Sequence, residues 1–106
     1  MDHDVGEQRR RSLAVFGNRY VVDVVLAVEA LLAGDGVTVR MIAKSVDLAD
    51  NLVRPVVLRL VAAGFLVQQA PARPRGPTFY VRGPALDEPW SALCQLCSLL
   101  ARGGQA

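Results

Sequence analysis

Residues 38–67, TVRMIAKSVDLADNLVRPVVLRLVAAGFLV, decide how the rest of the chain is read. Val39, Ile42, Ala43 and Val46 recur at the three-and-four spacing that predicts a short amphipathic helix. Asp47 to Asp50 break that period, and Asp50 or Asn51 is placed to cap a second helix. Turned at ~100° per residue, Leu52, Val53, Val56, Val57, Leu60 and Ala63 fall on one arc expected to face a core. Gly64 stands where a helix end favours a left-handed residue, and Phe65-Leu66-Val67 leaves in strand character.

Two helices joined by a tight turn, the second presented outward, make a helix-turn-helix. Downstream, residues 65–70 and 78–82 read as two strands. The loop Pro71-Ala72-Arg73-Pro74-Arg75-Gly76-Pro77 between them is stiffened by prolines and carries arginines that no small core can hold, so the pair predicts a hairpin with a basic tip, a wing. Upstream, Val37-Thr38-Val39 suggests one more short strand after a Gly34-Asp35-Gly36 turn.

Before that turn, a first helix is expected over Gln8–Phe16, stopped by Gly17-Asn18, and a second from Arg19 to about Ala33, capped by Asn18. Asn18, Arg19, Asp23 and Glu29 occupy one arc of the second helix, and its wide apolar remainder predicts packing on its own core and on something further. A last helix over residues 87–102 opens on Asp87-Glu88-Pro89, suited to a first turn. Its apolar arc, from Trp90 to Leu100, is again broader than one small core accepts.

The chain of 106 residues is 52% hydrophobic and only 6% aromatic, so its apolar surface is mostly Val, Leu and Ala. With a mean hydropathy of +0.28, a lone globule of this size could not cover it, which predicts a homodimer through the N-terminal helices and helix 87–102. Residues 1–11 are expected as a flexible N-terminal tail and 12–102 as the domain. Tyr20–Ala33, the most apolar stretch, is interrupted by Asp23 and Glu29 and falls short of the ~20 residues a membrane helix needs. With a polar Met1–Ser12 in place of a signal sequence, a cytoplasmic protein is expected. Eleven arginines against one lysine point to a high-GC bacterial genome.

The net charge of +2 is unevenly spread. Between Arg40 and Arg82 seven basic residues stand against Asp47 and Asp50, a local excess of five positive charges. That basic segment is the helix-turn-helix and its wing. Arg40, Lys44, Arg54, Arg73 and Arg75 are placed for phosphate contacts, the wing arginines alternatively for a narrow minor groove. Asn51 and Arg54, with Arg59 towards the edge, supply donors and acceptors for base edges. Pro55, Leu58 and Ala62 complete that arc and suit a protein partner equally well, while Pro55 predicts a small kink or a late helix start.

Phe16 to Tyr20 at the helix break, Val53–Leu60 with Ala63-Gly64-Phe65-Leu66, Gly76–Arg82 and Pro89-Trp90 together resemble a winged helix-turn-helix, mainly α with a small β-hairpin wing, of the ArsR-like family of bacterial repressors. The resemblance spans roughly residues 12–100. It implies a sequence-specific, double-stranded DNA-binding transcriptional regulator, a homodimer with paired recognition helices in successive major grooves. Metal-sensing members carry cysteines where this chain has Val39-Arg40-Met41-Ile42-Ala43, or His and acidic ligands on the last helix, which here has no His; neither site carries over, and no cofactor is expected.

Cys94 and Cys97 form a CxxC, compatible with metal binding, redox exchange or a dimer cross-link, and also with plain burial. Two sulfurs are half a tetrahedral zinc site, and His3 is the one other soft ligand. No nucleophile, base and orienting group can be assembled, so no enzyme is expected. Besides the DNA-binding regulator, two readings stay open: a winged-helix module that binds protein, and a cysteine-based redox or metal-responsive regulator.

Overall fold

The computed structural model describes residues 5–32, 36–70, 75–83 and 87–103. Its elements run α1 (Val5–Phe16), α2 (Val21–Leu31), α3 (Val39–Val46), α4 (Asp50–Ala62), β1 (Leu66–Gln68), β2 (Tyr80–Arg82) and α5 (Asp87–Ala101). The architecture is mainly α with a small β wing, a winged helix-turn-helix.

Helix α2 is the hub. Val22, Val24, Val25 and Val28 are fully buried, and the helix packs on α1, α3, α4 and α5. Valine is a mediocre helix former, so VVDVVLAVEAL owes its helicity to this packing, at roughly 1.5–3 kcal/mol per buried side chain. The broad apolar girth that predicted a partner outside the chain is instead absorbed within it.

Helix α1 contains the helix expected over Gln8–Phe16 and begins earlier, at Val5, so residues 5–11 of the expected tail are helical. Their polar side chains are used as bridges. Gln8 and Ser12 are buried; Ser12 Oγ donates to the Asn18 carbonyl at 2.7 Å and accepts from the Val22 N–H at 3.2 Å. Arg9 pairs with the nearly buried Asp23 at 3.1 Å and lies over the Tyr20 ring, and Arg11 donates to the Leu100 carbonyl at 3.1 Å. Asn18 does not cap α2 but accepts from the Tyr20 N–H at 2.7 Å within the α1–α2 corner.

The helix-turn-helix follows the expected course. Thr38 caps α3 by accepting from the Met41 N–H at 3.1 Å, and Asp47 ends it in the left-handed region at φ 57°. Ala49, not Asp50 or Asn51, occupies the N-cap of α4 and makes no side-chain cap bond. Val53, Val56, Val57 and Leu60 face the core, while Leu52 and Ala63, expected beside them, are exposed. Pro55 lies inside α4, which runs on to Ala62, so no late start occurs.

The wing pairs Leu66 with Arg82, Val67 with Val81 and Gln68 with Tyr80, antiparallel. Val37 adds a bridge to Tyr80, with N–H to O distances of 2.9 and 2.8 Å, tying the start of the helix-turn-helix to the wing. At the wing base Gly64 has φ +87°, and a Cβ on Gly83 would lie 2.3 Å from the Gly64 carbonyl oxygen, so only glycine fits there. The wing tip with Arg73, the tail residue His3 and the Gly34-Asp35 part of the turn lie outside the described residues.

Candidate nucleic-acid interface

The first turns of α3 and α4 and the return strand of the wing meet at a surface cleft of about 200 Å³. Thr38 and Arg40 come from α3, Asp50 and Arg54 from α4, and Thr78 and Tyr80 from the wing. Arg40 Nε donates to Asp50 Oδ2 at 3.2 Å, and Arg54 projects one turn further along α4. With Arg40 three-quarters exposed, this pair is worth no more than about 1 kcal/mol, so the carboxylate is easily exchanged for another anion. Two guanidiniums, a threonine hydroxyl and the uncapped start of α4 make the cleft a cradle for a phosphate.

Beside the cleft runs the outer face of α4. Asn51, Pro55, Leu58 and Ala62 follow one another at three-and-four spacing, all exposed, with Leu58 at 50%. Arg54 flanks this row on the wing side. Lys44 is exposed one turn after Arg40 on α3, and Arg75 is exposed where the wing resumes.

Arg59 does not join this group. Five residues from Arg54, it points about 140° away around the helix. Its Nη1 donates to the Phe16 carbonyl at 3.3 Å, and it edges an apolar pocket of about 210 Å³ walled by Phe16, Val56, Phe65 and Leu93. Arg82, counted in the basic segment, pairs with Asp87. Thr38, Asp50, Thr78 and Tyr80 line the cleft without having been read as site residues from the sequence, because the approach of α3, α4 and the wing is non-local.

Cys94 and Cys97 face inward on α5, nearly and fully buried. Burial, reinforced by the Glu29 carboxylate, pushes the Cys94 thiol up to about 11, and burial beside Cys94 pushes Cys97 up to about 12. Glu29 also accepts from Trp90 Nε1 at 2.7 Å, joining α2 to α5. Among the described residues no three His, Cys, Asp or Glu side chains gather as a metal site. No described helix is long and apolar enough to cross a membrane.

The fold is that of winged-helix regulators. The chain is similar to MepR, a transcription regulator of the Staphylococcus aureus multidrug efflux pump MepA, with TM-score 0.52 and 15% identity over 96% of this chain and 76% of that one. A mutant MepR from a multidrug resistant S. aureus clinical isolate matches with TM-score 0.54 and 14% identity, over 95% and 74%. A MarR family transcriptional regulator from Silicibacter pomeroyi matches with TM-score 0.51 and 22% identity, over 89% and 67%. Of these neighbours the Silicibacter protein is described as MarR family, and none supports the narrower ArsR-like assignment. No family model matches the sequence. No curated protein matches it either.

Proposed function

We propose that the protein is a sequence-specific, double-stranded DNA-binding transcriptional regulator that works as a homodimer in the cytoplasm. The observation that carries this reading is the convergence of Arg40, Arg54 and Thr78 in one cleft beside the exposed face of α4. In this arrangement α4 enters the major groove, the cleft seats a backbone phosphate, and the wing arginines lie along the backbone or in the minor groove. Support for the dimer comes from α1 and α5, which pack on each other and leave Leu13, Val15, Leu96 and Leu99 exposed. With α2 enclosed, the proposed seam narrows to these two helices.

Fluorescence anisotropy with duplex DNA over a salt series tests it. Affinity should fall steeply with salt, and Arg54→Ala should weaken binding and flatten the salt slope by about one. Binding indifferent to both would count against groove insertion. A second reading, that the outer face of α4 docks a protein, is favoured by the exposure of Leu58 at 50% beside Pro55 and Ala62. A stoichiometric partner on purification, with no retention on heparin, would select it.

A further inference from the structure

We infer that the outer face of α4 reads thymine C5-methyl groups, so that the preferred half-site is built on A·T pairs presenting methyls in the major groove. This rests on the DNA-binding reading and specifies its substrate.

Base discrimination in the major groove draws on hydrogen-bonding edges and on one apolar feature, the thymine methyl. The row that α4 presents holds a single hydrogen-bonding side chain, Asn51, followed by Pro55, Leu58 and Ala62. Asn51 carries a donor and an acceptor suited to the N6 and N7 edge of adenine. Pro55 and Leu58, the next two rungs, offer aliphatic surface only, and Leu58 is half exposed. The polar edge atoms of either base pair lose water against these rungs, and a thymine alone adds a methyl that exchanges water for hydrocarbon.

The charge pattern orients the same face. The cation cleft of Arg40 and Arg54 lies along one flank of the row, where a sugar–phosphate strand borders a groove, while the centre carries no charge. An anionic rim beside an apolar, methylated floor is the complement of that surface. Burial of one methyl corresponds to about a fourfold change in affinity, so two contacted methyls give roughly fifteenfold.

The experiment uses the full chain. A random double-stranded library is enriched on the purified protein, and the selected duplex is resynthesised with deoxyuridine replacing thymidine, one step at a time. The expected result is a loss of about fourfold at one or two positions per half-site in the wild type, with one of these losses retained by Leu58→Met and absent in Leu58→Ala. Leu58 is half exposed, so its truncation leaves the core intact. Salt-dependent binding that treats thymidine and deoxyuridine alike would overturn the inference and leave the DNA reading standing. So would discrimination that persists undiminished at every position in Leu58→Ala, since it would then arise from duplex shape. If no duplex is enriched and no salt-dependent binding exists, both fall together.

Discussion

Raising the pH from about 8 to about 10 should destabilise the wild-type protein more than a Cys94→Ala/Cys97→Ala variant, by about 2–3 kcal/mol. Both thiols are displaced upwards from an ordinary value of 9.0, to about 11 and about 12. The folded state therefore holds these protons over a range in which the unfolded chain has released them. Their contribution is complete below about pH 9 and is lost as the pH rises through the two folded values. At about pH 10 the unfolded thiols are mostly ionised and the folded ones are not, which amounts to about 1.4 kcal/mol for each. The figure depends little on how far above 11 the folded values lie.

Urea unfolding of both proteins at the two pH values measures the effect. Any offset from the substitutions themselves is independent of pH and cancels in the comparison, as do the tyrosines and Lys44, which both proteins share. Equal losses in the two proteins would refute the reasoning, for the thiols would then ionise as freely in the folded state as in the unfolded one. The same burial keeps both thiols protonated and poorly nucleophilic at neutral pH, which opposes the redox reading of the CxxC.

Three further outcomes are expected. Asp50→Asn frees Arg40 and removes a negative charge from the phosphate cradle, so duplex affinity at low salt should rise about fivefold by anisotropy, the value of one unit charge at ~4 Å in water. Asp23→Ala leaves Arg9 half-buried without its partner and loosens α1 from α2; a stability loss of about 2–3 kcal/mol should appear in urea unfolding, between the values for exposed and for buried pairs. Gly83→Ala forces a methyl against the Gly64 carbonyl and should lower stability by about 1–3 kcal/mol, with faster amide exchange at the Gly83 N–H bonded to Phe65.

Where the sequence was legible, the signal was local. The spacing of Val39, Ile42 and Ala43 and the glycine at 64 each mark an element that the structure contains, and so does the Trp90 helix, whereas Thr38, expected in a strand, caps α3. What escaped the reading depends on partners far along the chain. The polar residues between Gln8 and Ser12 read as helix, but their partners Asp23, Asn18 and Leu100 lie too far along the chain for that reading to reach. Leu52 looks like core by angle alone, but it remains 37% exposed while its neighbour Val53 takes the buried place. Within the site, Arg40 and Arg54 are recognisable by type and position, whereas the carboxylate between them is not, because Asp50 reads equally well as a helix cap. Arg59 lies apart from Arg40 and Arg54 for a geometric reason, since five residues on a helix turn it from Arg54 towards Phe16.

The charges also bear on the proposed dimer. Arg40, Lys44, Arg54 and Arg75 are the described cations on the DNA side, and one of them is shared with Asp50. Four phosphate contacts give a salt slope of about −3.6, which is weak by the standard of specific regulators. A 13-residue helix, about 20 Å long, reads only a few base pairs in one groove. Specific affinity at physiological salt therefore calls for a second copy whose cations double the slope and whose helix reads a second half-site. The exposed leucines and valine of α1 and α5 lie on helices that carry no part of the cleft, so pairing through them would leave both clefts open to a single duplex.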